Sequence, residues 1–222
     1  MASSKNCIVN AANGYWYPRG QKRLQESLIY HGFSGDFIPF IGWANDNYDK
    51  ECPYNVKASA IEEAIKMGYE SFLWLDCSVW ALKNPDKIFD KINDEGMLML
   101  TSGYNAAQTC SDKCLQYFGV TRNQAEQMPD ASTGVFGFNI NHPKGKEFIT
   151  RWLQSAKDGA FAGSREHDNQ SQDPRFLFHR QDQSCASIIC GLMGIQMHNY
   201  GEYASYYTPK MDESIVFAIQ GM

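Results

Sequence analysis

Short apolar runs alternate with amphipathic stretches along the first hundred positions, and most of the runs stop at a turn signal. The first run, Cys7 to Ala12 (CIVNAA), ends at Asn13-Gly14 and reads as a buried strand. Gln21 to Tyr30 has helical spacing, with Leu24, Leu28 and Ile29 on one side and Gly32 as its stop. Asp36 to Ile41 forms a second strand. Pro53 to Met67 is the clearest helix: Pro53 sits where a first turn tolerates it, Val56, Ala60, Ile61, Ala64 and Ile65 make an apolar stripe, and Gly68 ends it. Ser71 to Leu75 (SFLWL) is a short apolar strand that runs straight into Asp76. A helix over Asn84 to Asn93, with Pro85 in its first turn, and a strand over Met97 to Leu100 complete this half.

The period is lost between Thr101 and Asp130 and returns with a strand at Thr133 to Ile140 (TGVFGFNI). An amphipathic helix follows at Gly145 to Ala156, carrying Phe148, Ile149, Trp152 and Leu153. Asp158 to Pro174 is polar and predicts a surface loop. Asp182 to Leu192 is helical, Ile195 to His198 is a short strand, and a tyrosine-rich tail closes the chain. Strands alternating with helices predict an α/β fold, a mostly parallel central sheet flanked by helices, in a single domain over residues 1–222.

Composition narrows the function classes. The chain of 222 residues is 43% apolar and 14% aromatic, ample for one packed core, and its 13 Phe, 12 Tyr and 5 Trp leave rings to spare for a cleft. Net charge is −5 with no dense Lys/Arg cluster, which argues against duplex nucleic acid as a partner. Seven scattered Cys include one close pair, Cys110 and Cys114, without a second pair or a His at zinc-ligand spacing. Reduced thiols, a polar Met1 to Asn6 and no apolar run near the roughly 20 residues of a membrane span set the expectation of a cytoplasmic protein.

Four segments carry candidate chemistry. Leu75-Asp76-Cys77-Ser78 places an acid at the carboxyl end of a buried strand, where open parallel sheets bind ligands. Asp76 there either holds a metal or ribose hydroxyl, or caps the next segment. Phe178-His179-Arg180-Gln181-Asp182-Gln183-Ser184 packs polar groups before an apolar helix. Arg180 suits a phosphate. Asp182 suits orienting a sugar or serving as base, with capping as the plain alternative. In Ala131-Ser132-Thr133-Gly134-Val135-Phe136 the glycine either admits a sugar close to the backbone or marks a bulge. His198 closes Gly194-Ile195-Gln196-Met197-His198 ahead of a glycine turn, and a lone late His is most often a hydrogen-bonded core residue.

In order along nearly the whole chain, these segments resemble the nucleotide-sugar-dependent glycosyltransferases of the GT-A fold, with the motif order of the glycogenin-like enzymes. The hallmark there is an acid-x-acid motif after a hydrophobic strand, preceded by a helix with a basic residue; here Lys57 and Phe72-Leu73-Trp74-Leu75-Asp76 match it. The resemblance implies a GT-A-like domain, with residues 1–100 as the nucleotide-binding half and 101–222 as the acceptor-side half. It implies a hexosyltransferase whose donor is a nucleotide-diphosphate sugar. Main-chain groups of Asn10, Ala11 and Ala12 would hold the nucleoside, and one of Tyr15, Trp16 or Tyr17 would stack on its base. Arg19, Lys22 and Arg23 are phosphate candidates, although a solvated helix start explains them better.

Further along, Lys57 and Arg180 would meet the diphosphate, with Asp76 and Ser78 beside it. Asp182 and Gln183 would be the catalytic pair, and Ser132, Thr133 and Gly134 would border the acceptor. A divalent cation, Mn or Mg, would sit between Asp76 and His198. Ser78 stands where the second acid is expected, which leaves metal dependence open. The acceptor is also open among glycan, protein, small molecule and modified base. A nucleotidyltransferase is a rival, weakened because Asn13 to Gly20 offers only two glycines for a phosphate loop. A binding module of this fold that has lost catalysis is the other.

Overall fold

The computed structural model describes residues 5–162 and 171–221. In chain order its elements are β1 (Asn6–Ala12), α1 (Tyr17–Tyr30), β2 (Asp36–Ile41), α2 (Asn55–Lys66), β3 (Ser71–Leu75), β4 (Val79–Ala81), α3 (Asp86–Glu95) and β5 (Met97–Asn105). Three short helices follow, α4 (Ala106–Thr109), α5 (Asp112–Tyr117) and α6 (Arg122–Ala125). The chain then forms β6 (Pro129–Asn139), α7 (Pro143–Lys157), α8 (Asp182–Met193), β7 (Ala204–Tyr206) and β8 (Phe217–Ile219).

The main sheet has the order β2-β1-β3-β6-β5. β1 pairs in parallel with β2 and β3, while β6 runs antiparallel between β3 and β5, so four of the five strands point one way. Both faces of the sheet are covered, which is why its inner strands read as continuous apolar runs. Side chains alternate across it. Cys7, Val9, Phe72 and Trp74 face a core shared with α2, α7 and α8. Ile8, Leu73 and Leu75 face a second core with α1, α3 and the small sheet β4-β8-β7. Asp76 follows Leu75 and shares the parity of Trp74, so it emerges on the α2/α8 side.

The predicted alternation and most element positions match the structure. The three-residue strands β4, β7 and β8 are too short to show a sequence period and are not among the expected elements. Three further differences stand out. The stretch without a period between Thr101 and Asp130 contains the end of β5 and three one- to two-turn helices, too short for a sequence period to register. Two of them, α4 and α6, start with reciprocal capping boxes, at Asn105/Gln108 and Thr121/Gln124. The strand expected at Ile195 to His198 is reduced to an isolated bridge between His198 and Leu100. Ile29, expected on the buried side of α1, is exposed, because the helix turns the face of Gly20, Gln21, Leu24 and Leu28 to the sheet. The loop expected over Asp158 to Pro174 lies in part, at 163–170, outside the described residues. No helix among the described residues is long and apolar enough to cross a membrane.

Between Met99 and Leu100 the register of β5 against β6 shifts: Met99 faces Phe136 whereas Leu100 faces Ser132. Thr133, Gly134 and Val135 are therefore extra residues on β6, and such irregularities re-aim side chains beside sites.

Gly145, in the first turn of α7, packs against rigid backbone: a Cβ there would lie 2.3 Å from the Asn139 carbonyl oxygen and 2.4 Å from that of Gly96. In an exposed helix, Gly→Ala stabilises by up to about 1 kcal/mol. Here the sign reverses, and Gly145→Ala is expected to destabilise the protein by about 1–3 kcal/mol in urea titration; a gain in stability would contradict this packing.

Candidate functional site

At the carboxyl end of β3 the α2/α8 face opens into a cavity of about 610 Å³. Its floor is built around Lys57. The Lys57 ammonium lies 2.9 Å from Asp182 Oδ2 and 3.3 Å from Asp76 Oδ1, and donates to the Thr133 carbonyl oxygen at 2.9 Å. Burial pulls the Lys57 pKa down, but Asp182 and then Asp76 overcome it and hold the ammonium above its ordinary 10.5. Trp74 Nε1 donates to Asp76 Oδ1 at 2.7 Å, and the Lys57 ammonium also stands over the Trp74 ring.

Asp76 and Asp182 differ in burial. The Asp76 side chain is 39% exposed to the cavity, whereas that of Asp182 is 3% exposed. Asp182 Oδ2 also accepts from Thr133 Oγ1 at 2.7 Å, and its carbonyl oxygen accepts from Trp152 Nε1 at 3.1 Å. Gln181, which precedes it, has φ +44° and ψ −112° although it is not glycine. Such a conformation costs on the order of 1–3 kcal/mol and persists where its surroundings over-determine it. The surroundings here are Arg180 N–H donating to Ser184 Oγ at 2.8 Å and Cys185 N–H donating to the Gln181 carbonyl at 3.2 Å. The result is a carboxylate fixed at the mouth of α8.

Gln183 lines the same cavity and is oriented from behind. Its Nε2 donates to Asp130 Oδ2 at 2.8 Å, leaving Oε1 to accept from Arg180 at 3.2 Å. Asp130 is fully buried, and burial raises its pKa against hydrogen bonds from Ser102, Ser187, Thr109 and Gln183. Gly134 leaves room for Asp76, since a Cβ there would stand 3.3 Å from Asp76 Oδ2, and its carbonyl accepts from Asp76 N–H at 2.9 Å.

The structure thus brings together Lys57, Asp76, Ser78, Arg180, Asp182 and Gln183, with Ser132, Thr133 and Gly134 on the cavity wall. Asn10, Ala11 and Ala12 are absent from that wall. Asn10 Nδ2 donates to the Leu75 carbonyl at 2.6 Å, Cys77 Sγ donates to the Ala11 carbonyl at 3.4 Å, and Gly42 N–H donates to that of Ala12 at 2.8 Å. These groups tie strand ends together and are already engaged. The loop after them exposes Tyr15, Trp16 and Tyr17.

His198 is not brought to Asp76. It sits beyond the β5 edge, with Nδ1 3.2 Å from Glu202 and Nε2 3.6 Å from Glu95 on α3. β6 and β5 separate it from β3, so the metal pair expected from the sequence is not assembled. Among the described residues no group of three His, Cys, Asp or Glu is arranged to hold a metal ion.

Sequence reasoning missed Asp130, Tyr54, Ser102 and Tyr104. Asp130 had one signal, an acid opening a strand that then turns apolar. Ser102 and Tyr104 gave none, since their placement follows from the β5/β6 register shift, and Tyr54, the residue just before α2, gave none either.

No protein-family model matches this chain, and no curated protein matches it in sequence. Among solved structures it is similar to that of a glycosyltransferase involved in the glycosylation of the major capsid of PBCV-1. The TM-score is 0.52 at 14% identity, over 96% of this chain and 93% of that one. The shared property is the fold.

Replacing Lys57 with Met leaves Asp182 buried without its cation, which typically costs about 3–5 kcal/mol. Because folding raises the Lys57 pKa above 10.5, the ammonium contributes fully below that value and fades as pH rises through the higher folded value. Urea titrations of wild type and Lys57→Met should show a constant deficit from about pH 7 to 10 that narrows above pH 10.5. A deficit that does not narrow there would refute the pairing.

Proposed function

We propose that the protein is a glycosyltransferase moving a hexose from a nucleotide-diphosphate sugar to an acceptor hydroxyl. The observation that carries this reading is the Lys57, Asp76 and Asp182 cluster at the strand-end cavity, on a fold shared with a glycosyltransferase. Open α/β sheets bind ligands at the carboxyl ends of their strands. In the transfer, the bond between the anomeric carbon and the phosphate oxygen breaks and its electron pair leaves with the diphosphate. The acceptor oxygen bonds the same carbon, and its proton passes to the departing diphosphate oxygen.

Positive charge builds on the anomeric carbon as that bond breaks, and a fixed carboxylate stabilises it. Asp182 supplies that carboxylate from the sugar side, held by Thr133, Lys57 and the strained Gln181. Gln183, oriented by Asp130, addresses the sugar hydroxyls. The base of the donor is assigned to the exposed rings of Tyr15, Trp16 and Tyr17, which follow the end of β1.

Charge balance bears on the cation. Among the described residues, the charged ones lining the cavity are Lys57, Arg180, Asp76 and Asp182, two of each sign. Lys57 is committed to both carboxylates, so its charge is not free for a diphosphate. Asp76 is one carboxylate beside the neutral Ser78, too few ligands for a resident ion. It does fit Mn or Mg arriving with the donor, because such ions are commonly held by one or two carboxylates plus substrate phosphates. The ion would offset charge on the departing diphosphate.

Calorimetry against uridine, guanosine and adenosine diphosphate sugars is expected to show binding that strengthens with manganese, and no manganese binding to the protein alone. Triphosphate binding in preference to a diphosphate sugar would favour nucleotidyl transfer, and no nucleotide binding would favour a module without catalysis. Asp76→Asn and Asp182→Asn should each lower transfer or donor hydrolysis by at least about 100-fold with unchanged circular dichroism. Full activity in both variants would overturn the site assignment.

A further inference from the structure

The outer part of the cavity carries rings that the donor chemistry does not use. Tyr104, near the end of β5, meets Phe178 edge-on, with centroids 5.3 Å apart at 82°. Tyr200 and Tyr206, from the tail, form a second pair with centroids 5.9 Å apart. All four line the one cavity although they come from three separate segments. A single exposed ring needs no explanation, but four converging on one opening do. Tyr104 is 42% exposed and Tyr206 66%, so neither belongs to the core.

We propose that this outer part is an acceptor subsite for a neutral sugar residue, held against the Tyr104–Phe178 and Tyr200–Tyr206 pairs. The proposal rests on the glycosyl-transfer reading above and gives its acceptor a chemical class. A pyranose presents a face of C–H bonds bordered by hydroxyls. Aromatic faces bury the former, and hydroxyl-bearing side chains exchange hydrogen bonds with the latter. The polar groups among these rings are of that kind: Ser102, Ser132 and the tyrosine phenols. Beyond the Lys57, Asp76 and Asp182 floor, Arg180 is the only charged residue among the described lining, so an acidic or strongly basic acceptor finds little to meet it.

Position agrees with chemistry. In the strand order β2-β1-β3-β6-β5, the exposed loop after β1 lies on one side of Asp76 and the β5 rings on the other. Thr101 N–H donates to the His198 carbonyl at 2.8 Å, which sets the chain leading to Tyr200 alongside β5, next to Ser102. A hydroxyl of a sugar stacked there faces the Asp182 side of the donor. The Tyr200 phenol, pushed up to about 12 by burial and by Tyr206, stays protonated and able to donate.

The test follows donor consumption by the chain of residues 1–222, first alone and then with a panel of neutral methyl hexosides and disaccharides. A mixture of Ser-, Thr- and Tyr-containing peptides serves as the comparison. Neutral sugars are expected to accelerate consumption with formation of a new glycoside. Tyr104→Ala and Tyr206→Ala should each raise the acceptor KM tenfold or more with little change in kcat, and Tyr104→Phe, which keeps the ring and loses only the phenol, should bring KM back to within a few-fold of wild type. Tyr30→Ala, exposed on α1 away from the cavity, serves as the unaffected control. Donor consumption that no neutral sugar accelerates, acceleration by the peptides instead, or an unmoved acceptor KM in both alanine variants would overturn the subsite and leave the transferase reading standing. A donor neither bound nor consumed would overturn both.

Discussion

An isolated ammonium removed from water carries a desolvation penalty of several kcal/mol, and Lys57 is buried in the first turn of α2. Two carboxylates from distant parts of the chain compensate it: Asp76 at the end of β3 and Asp182 at the start of α8. That arrangement constrains everything near it. α2 must lie across the carboxyl end of β3, α8 must begin where its first residue reaches the same ammonium, and β6 must pass between them to supply the Thr133 carbonyl and hydroxyl.

The same constraint explains the strain beside it. Asp182 is the first residue of α8, so its carboxylate can face Lys57 only if the chain enters the helix abruptly, and Gln181 takes a left-handed φ to allow this. Trp152 from α7 caps the arrangement by donating to the Asp182 carbonyl, while it packs against Phe136 and Phe161. Site geometry and core packing thus share residues, and the carboxylate sits on a support that resists rearrangement.

A second polar network lies behind the first. Asp130 is buried with four hydrogen-bond donors around it, one of which is Gln183. A buried carboxylate satisfied in this way orients its partners strongly. Ser102 both lines the cavity and binds Asp130, so the network joins Gln183 to the wall that carries the aromatic pairs. The fold gives one cavity with the Lys57, Asp76 and Asp182 cluster at the end of β3 and aromatic rings contributed by β5 and the tail.

The sequence by itself determined the α/β alternation, because strands buried on both faces must read as apolar runs and the helices between them carry apolar stripes. It also determined which acids stand at element ends, Asp76 after SFLWL and Asp182 before an apolar helix, since that depends on neighbours in the chain. Only the tertiary structure decided that β6 runs antiparallel in the middle of the sheet, that Lys57 joins those two acids, and that Asp130 backs Gln183. It also sent His198 to Glu95 and Glu202 and engaged Asn10, Ala11 and Ala12 in holding strand ends. These are contacts between residues up to 125 positions apart, set by strand order and register, and no local period or motif records which distant partner a buried charge will find.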